Sequence, residues 1–139
     1  MGGSFDGKDK TRSLGIKNII AQMEKANVHR IIALGGMGIL NADKSGNLLL
    51  HSHSYPAEYL PVGLEHEEAY NYLRHSALNW TFICSPDIID ADATGNFVTN
   101  KDFLPEPNHN KINAGDLAFF MLKELHDNEF VKHRVGISN

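Results

Sequence analysis

Apolar residues recur at Ile16, Ile19, Ile20 and Met23, the i, i+3, i+4, i+7 spacing, with Lys17, Gln22 and Glu24 between them. That period predicts a helix over about Ser13 to Ala26, with Asn27 as its stop. The pattern then changes. Val28 to Leu34 is short, rich in β-branched residues and closed by Gly35 and Gly36, which predicts a strand. A second helix is expected over Leu64 to Ser76, with Ala69, Tyr72 and Leu73 on one face. A second strand follows over Leu78 to Cys84, ended by Ser85-Pro86-Asp87. Asn113 opens a third helix, with Asp116 at the spacing that satisfies orphan amides at a helix start. Its run LAFFMLKEL is apolar on most sides and predicts burial between layers. Val131 to Ile137 closes the pattern as an edge strand.

The intervening segments carry no period. Residues 1–12 are Gly-rich and polar and read as a loop. Residues 41–63 form a long excursion, ADKSGNLLLHSHSYPAEYLP within it, and loops of that length are more often functional or mobile than idle. Residues 90–110 are polar, hold Thr94-Gly95-Asn96, and allow a short strand at Phe97-Val98. Helix, strand, helix, strand, helix, strand is the order of an α/β protein: a parallel sheet with right-handed crossovers and flanking helices.

Composition narrows the classes. At 139 residues the chain fits one domain, residues 1–139, with a real core. A net charge of −4 and a pI near 6.0 give no basic stripe for nucleic acid and no polybasic membrane patch. No apolar run has the length of a membrane span, and no signal peptide is visible at Met1-Gly2-Gly3. A single cysteine, Cys84, excludes an internal disulfide framework and a cysteine zinc cluster. These features predict a cytoplasmic protein.

Candidate chemistry gathers at strand ends. Gly35-Gly36-Met37-Gly38 lacks the GxGxxG spacing and the immediate helix of a phosphate cradle. It reads either as a turn that needs small residues or as the wall of a site, since ligands on open α/β sheets lie at the carboxyl ends of strands. Ser85-Pro86-Asp87 has the same placement, and its proline makes the backbone rigid. His51 and His53 could share one side of an extended segment, but two imidazoles among eight histidines are a weak metal signal. Glu65-His66-Glu67-Glu68 reads first as a dipole-stabilised acidic turn at a helix start, with His66 a proton donor if it faces a cleft.

Taken in order, GIKNIIAQMEKANVHRIIALGGMG, EHEEAYNYLRHSALNWTFICSPDII, TGNF and INAGDLAFFMLKEL resemble the atypical short-chain dehydrogenases. Within them the resemblance is to the NAD(P)H-binding group of biliverdin/flavin reductases and NmrA-like proteins. It runs from about Gly2 to Ile137. It implies a partial Rossmann-like domain, the carboxyl-terminal half, with Met1-Gly2-Gly3 as the loop after the fourth family strand and the glycine-fingerprint half absent. A sheet cut there would expose a strand edge and predicts self-association through it.

The resemblance also implies site residues. Gly36 falls where the family often has its catalytic serine, Val62 near its tyrosine and His66 near its lysine, so that triad is missing. Gly2, Gly3, Gly35 and the backbone of Ser85, Pro86, Asp87 and Ile88 would line the ribose–nicotinamide side of NADP or NAD. Gly36, Met37 and His66 would border a small planar substrate, with His66 the catalytic candidate, and Asp116 would cap its helix. Three readings follow: a reductase passing hydride to a flavin- or quinone-like acceptor, a non-catalytic nucleotide-binding redox sensor, or a ligand-free interaction module.

Overall fold

The computed structural model describes Ser4, Asp6 and residues 8–139, so the predicted role of Gly2 and Gly3 lies outside the described residues. Helix α1 (Thr11–Lys25) leads to strand β1 (Arg30–Gly36), α2 (Leu60–Arg74) to β2 (Asn79–Ser85), and α3 (Ala114–Asp127) to β6 (His133–Ser138). Three short strands lie between: β3 (Asp87–Ile89), β4 (Val98–Lys101) and β5 (Lys111–Asn113). Asn27 does stop α1, with its backbone in the left-handed region at φ 56°.

The main sheet has the order β1-β2-β6-β4. The first three strands are parallel, Gly36 facing Ser85 and Cys84 facing Gly136, while β4 runs antiparallel to β6. Strands β3 and β5 form a separate parallel pair. The predicted edge strand β6 is therefore interior. β4 takes the edge, a strand that the polar tetrapeptide VTNK signals poorly.

Alternation along the strands builds two cores. Trp80, Phe82 and Cys84 face α1 and α2, where Ile16, Ile20, Ala69 and Leu73 meet them. Ile83, Val135 and Ile137 face α3, whose Leu117 and Phe120 cover them. β2 is thus closed on both faces. Helix α3 covers only one: Phe119, Leu122 and Leu125 are 53%, 68% and 52% exposed, so the burial between layers expected for its apolar run does not hold.

Two acids predicted as helix-start groups do something else. Helix α2 begins at Leu60 with proline in its first turn, which places Glu65 well inside it. Buried Glu65 reaches across to α1, accepting from Ser13 Oγ at 2.8 Å and Ser13 N–H at 3.4 Å and pairing with Lys10 Nζ at 2.7 Å. It satisfies a helix start whose own N-cap residue, Lys10, offers no side-chain bond. Burial pushes its carboxyl up, but Lys10 and Ser13 outweigh that and hold it below the usual range. Asp116 likewise turns away from capping. It accepts from the Thr94 and Gly95 amides at 2.8 Å each, from Thr94 Oγ1 at 2.9 Å and from Asn139 Nδ2 at 2.8 Å, pinning the polar 92–96 loop.

The 41–59 excursion is built, not loose. Asn41 N–H donates to Asp102 O at 2.9 Å and Leu49 N–H to Leu40 O at 2.9 Å, and Leu50 is buried. Arg134 holds its start, donating to Ile39 O at 2.6 Å and Asn41 Oδ1 at 2.8 Å. No helix among the described residues is long and apolar enough to cross a membrane.

Candidate functional site

β1 and β2 end side by side at Gly36 and Ser85, and the chain leaves each through a break in regular structure. After Gly36 comes a single 3-10 turn, Met37–Ile39. After Ser85 comes Pro86 and the exposed strand β3, with Asp87 and Ile88 open to solvent. Ser85 Oγ is taken up locally by Pro86 O at 2.8 Å.

The glycines serve different ends. Gly35 is buried beside Phe82: a Cβ there would lie 2.3 Å from two ring carbons, so core packing alone requires glycine. Gly36 faces the other way, toward His66, with a Cβ falling 3.1 Å from His66 Cδ2. The structure therefore brings together Gly36 and His66, thirty positions apart in sequence. Met37 joins them, its Sδ 3.9 Å from Asn108 Nδ2 of the 102–110 segment.

His66 has no hydrogen-bond partner among the described residues. Burial, then the nearby Arg12 guanidinium, depress its imidazole to a pKa of about 4, against a smaller opposing pull from Glu65. At neutral pH it is an uncharged ring with one N–H donor and one acceptor nitrogen. It lines a groove of about 170 Å³ along the edge of β1, which is unpaired among the described residues. Ile16, Ile31, Ala33 and Leu34 form the apolar body of the groove, and Arg12 stands with His66.

Tyr55 of the excursion packs close beside the turn after β1, a residue that the sequence did not mark. Its hydroxyl would lie 2.7 Å from a Cβ on Gly38 and 3.1 Å from one on Gly63. The phenol thus occupies space left by two glycines on different elements. No sequence period links Gly38, Tyr55 and Gly63. The other weak signal, His51 with His53, resolves differently: His51 Nε2 lies 2.9 Å from Glu67 Oε1 in an exposed pair.

Parallel strands with helices on both faces, opening at their carboxyl ends onto glycines, define a Rossmann-like α/β protein. The sequence matches the NAD(P)H-binding family over residues 2–128, and the chain belongs to that family. No curated protein matches it. Among solved structures it is similar to a candidate exported protein from Burkholderia pseudomallei (27% identity, TM-score 0.83, covering 95% of this chain and 66% of that one). It is also similar to a candidate NADH-flavin reductase from Streptococcus pneumoniae (24%, 0.79, 99% and 69%). A wide-type short-chain dehydrogenase/reductase from Veillonella parvula, in complex with NADP, shares the fold (17%, 0.67, 100% and 71%). The chain spans about two thirds of the length of each.

The family binds a nicotinamide dinucleotide. At the strand ends Gly36, with no side chain, stands close against the neutral His66 ring, so neither brings a charge to that point. The diphosphate is a different matter, because the sequence holds no GxGxxG and the three-residue turn after β1 is no helix that could offer its amides.

Proposed function

We propose that this chain forms the nicotinamide- and acceptor-facing part of an NAD(P)H-dependent reductase, acting in the cytoplasm on a flavin- or quinone-like acceptor. The observation that carries the reading is the meeting of Gly36 with the uncharged His66 at the end of β1. Bound NADP or NAD would supply the hydride. In this reading Gly2, Gly3, Gly35 and the backbone of Ser85, Pro86, Asp87 and Ile88 border the ribose and nicotinamide. Gly36, Met37 and His66 border the acceptor. A neutral His66 can donate its N–H to a carbonyl or ring nitrogen without carrying a charge into an apolar site, which suits a flat, weakly polar acceptor.

A second reading, a nucleotide-binding redox sensor, draws on the same positions. The family's serine and tyrosine fall at Gly36 and Val62, which bring no hydroxyl, and Val62 is buried. Two measurements separate the readings. A thermal melt with excess NADPH is expected to shift upward if the dinucleotide binds the native chain. Oxidation of NADPH on addition of flavin mononucleotide then identifies a reductase. A shift without turnover supports the sensor, and no shift overturns both.

The proposal extends to self-association through the open edge of β1, where Leu34 is 42% exposed and Leu14 and Ile19 of α1 stand beside it at 51% and 37%.

A further inference from the structure

We propose that Tyr55 is the hydrogen-bond donor that fixes the planar acceptor at the end of β1. The inference rests on the reductase reading and names the group that recognises its substrate. The excursion that carries Tyr55 is held at Asn41, Leu49 and Leu50, so the residue is delivered to a defined place. Pro56 follows it and restricts its backbone to extended conformations, and Tyr55 N–H is tied to Ser52 O at 3.1 Å.

The ring lies over Gly38, with Cε2 and Cζ 2.9 and 3.0 Å from where a Cβ would stand, and its hydroxyl reaches on toward Gly63. Those two glycines lie on the segments that carry Gly36 and His66. Gly38 is two residues beyond Gly36, and Gly63 is nearly one turn before His66 on α2. Phenol and imidazole therefore address the same three residues, Gly36-Met37-Gly38.

Tyr55 is half-buried, but its hydroxyl stays open to solvent and has no hydrogen-bond partner among the described residues, so the donor is available to a ligand. Burial, with Tyr59 nearby, also raises the phenol above its ordinary value, so it keeps its proton and acts as a donor. A flavin or quinone presents what is missing: a flat apolar body edged with carbonyl oxygens or imine nitrogens that accept from a phenol.

The test is titration of the full chain with flavin mononucleotide, followed by flavin fluorescence, for wild type, Tyr55→Phe and Tyr59→Phe, alongside NADPH-induced shifts in the melt. Tyr59 belongs to the same excursion but is 46% exposed. The expected result is affinity at least tenfold weaker in Y55F, unchanged in Y59F, with the NADPH shift equal in all three. Gly38→Ala, which crowds the phenol without removing it, is expected to weaken flavin binding as well, and serves if Y55F folds poorly. Equal flavin affinity in wild type and in the folded variants overturns the role of Tyr55 and leaves the reductase reading standing. If wild type binds NADPH but no flavin, the flavin-like acceptor is wrong and the role of Tyr55 falls with it.

Discussion

Strand β1 joins two settings of opposite character. At its first residue, Arg30 donates to Ile31 O, Asn79 O, Thr81 Oγ1 and Glu124 O, and pairs with Glu124 Oε1 at 2.8 Å. Glu124, buried on α3, also accepts from Thr81 Oγ1 at 2.8 Å and from the Glu129 and Phe130 amides at 3.0 Å. Only Arg30 Nε is left over. At the other end, Gly36 faces His66 and Gly38 faces Tyr55, and neither ring has a hydrogen-bond partner among the described residues. The Arg30–Glu124 pair is matched almost wholly within the fold, whereas the rings beyond Gly36 keep donors free to meet a ligand.

The sharpest way to break the contrast is to remove Glu124. Glu124→Ala strands the Arg30 charge and is expected to cost about 3–5 kcal/mol, read from urea unfolding, with no specific effect on NADPH affinity in protein that remains folded. The pH dependence comes next. His66 titrates near 6.5 when unfolded and at about 4 when folded, so between these values the unfolded chain binds more protons. Stability therefore falls as pH drops through that window, by roughly 3 kcal/mol in all. His66→Gln is expected to flatten this slope, and an unchanged slope would assign it to other groups.

Neighbouring glycines give a finer contrast. Gly35→Ala drives a methyl into Phe82 and is expected to cost about 1–3 kcal/mol. Gly36→Ala, with φ at −95°, is expected to change stability by less than about 1 kcal/mol while weakening binding of flavin mononucleotide. Equal losses of stability in the two would show that both glycines serve packing. Smallest of all is Leu34→Lys, expected to move stability by no more than about 0.5 kcal/mol but to abolish self-association measured by light scattering.

Much of this fold was legible because period and punctuation agreed. Ile16 to Met23 spelled α1, Asn27 ended it, and LNWTFIC marked β2, whose unbroken apolar run matches its burial on both faces. Other features depended on partners remote in the chain. The antiparallel pairing of VTNK with β6 is a tertiary choice. The start of α2 at Leu60 had a visible signal in Pro61, which a count of apolar period overlooks. Glu65 and Asp116 looked like local helix-start acids, yet their bonds go to residues 52 and 22 positions away. The site divided in the same manner. Gly36 and His66 could be singled out one at a time, but their contact, and the niche that Gly38 and Gly63 make for Tyr55, exist only in three dimensions.

Cys84 offers a consequence of a different kind. It is the sole cysteine, lies in the doubly covered strand β2 opposite Gly35, has no solvent exposure, and its thiol is pushed up by burial. A thiol-specific reagent can reach it only when the sheet opens, so its labelling rate in native buffer is a clock for that opening. The same clock, run with and without dinucleotide, reports how tightly events at the strand ends are tied to the closure of both cores.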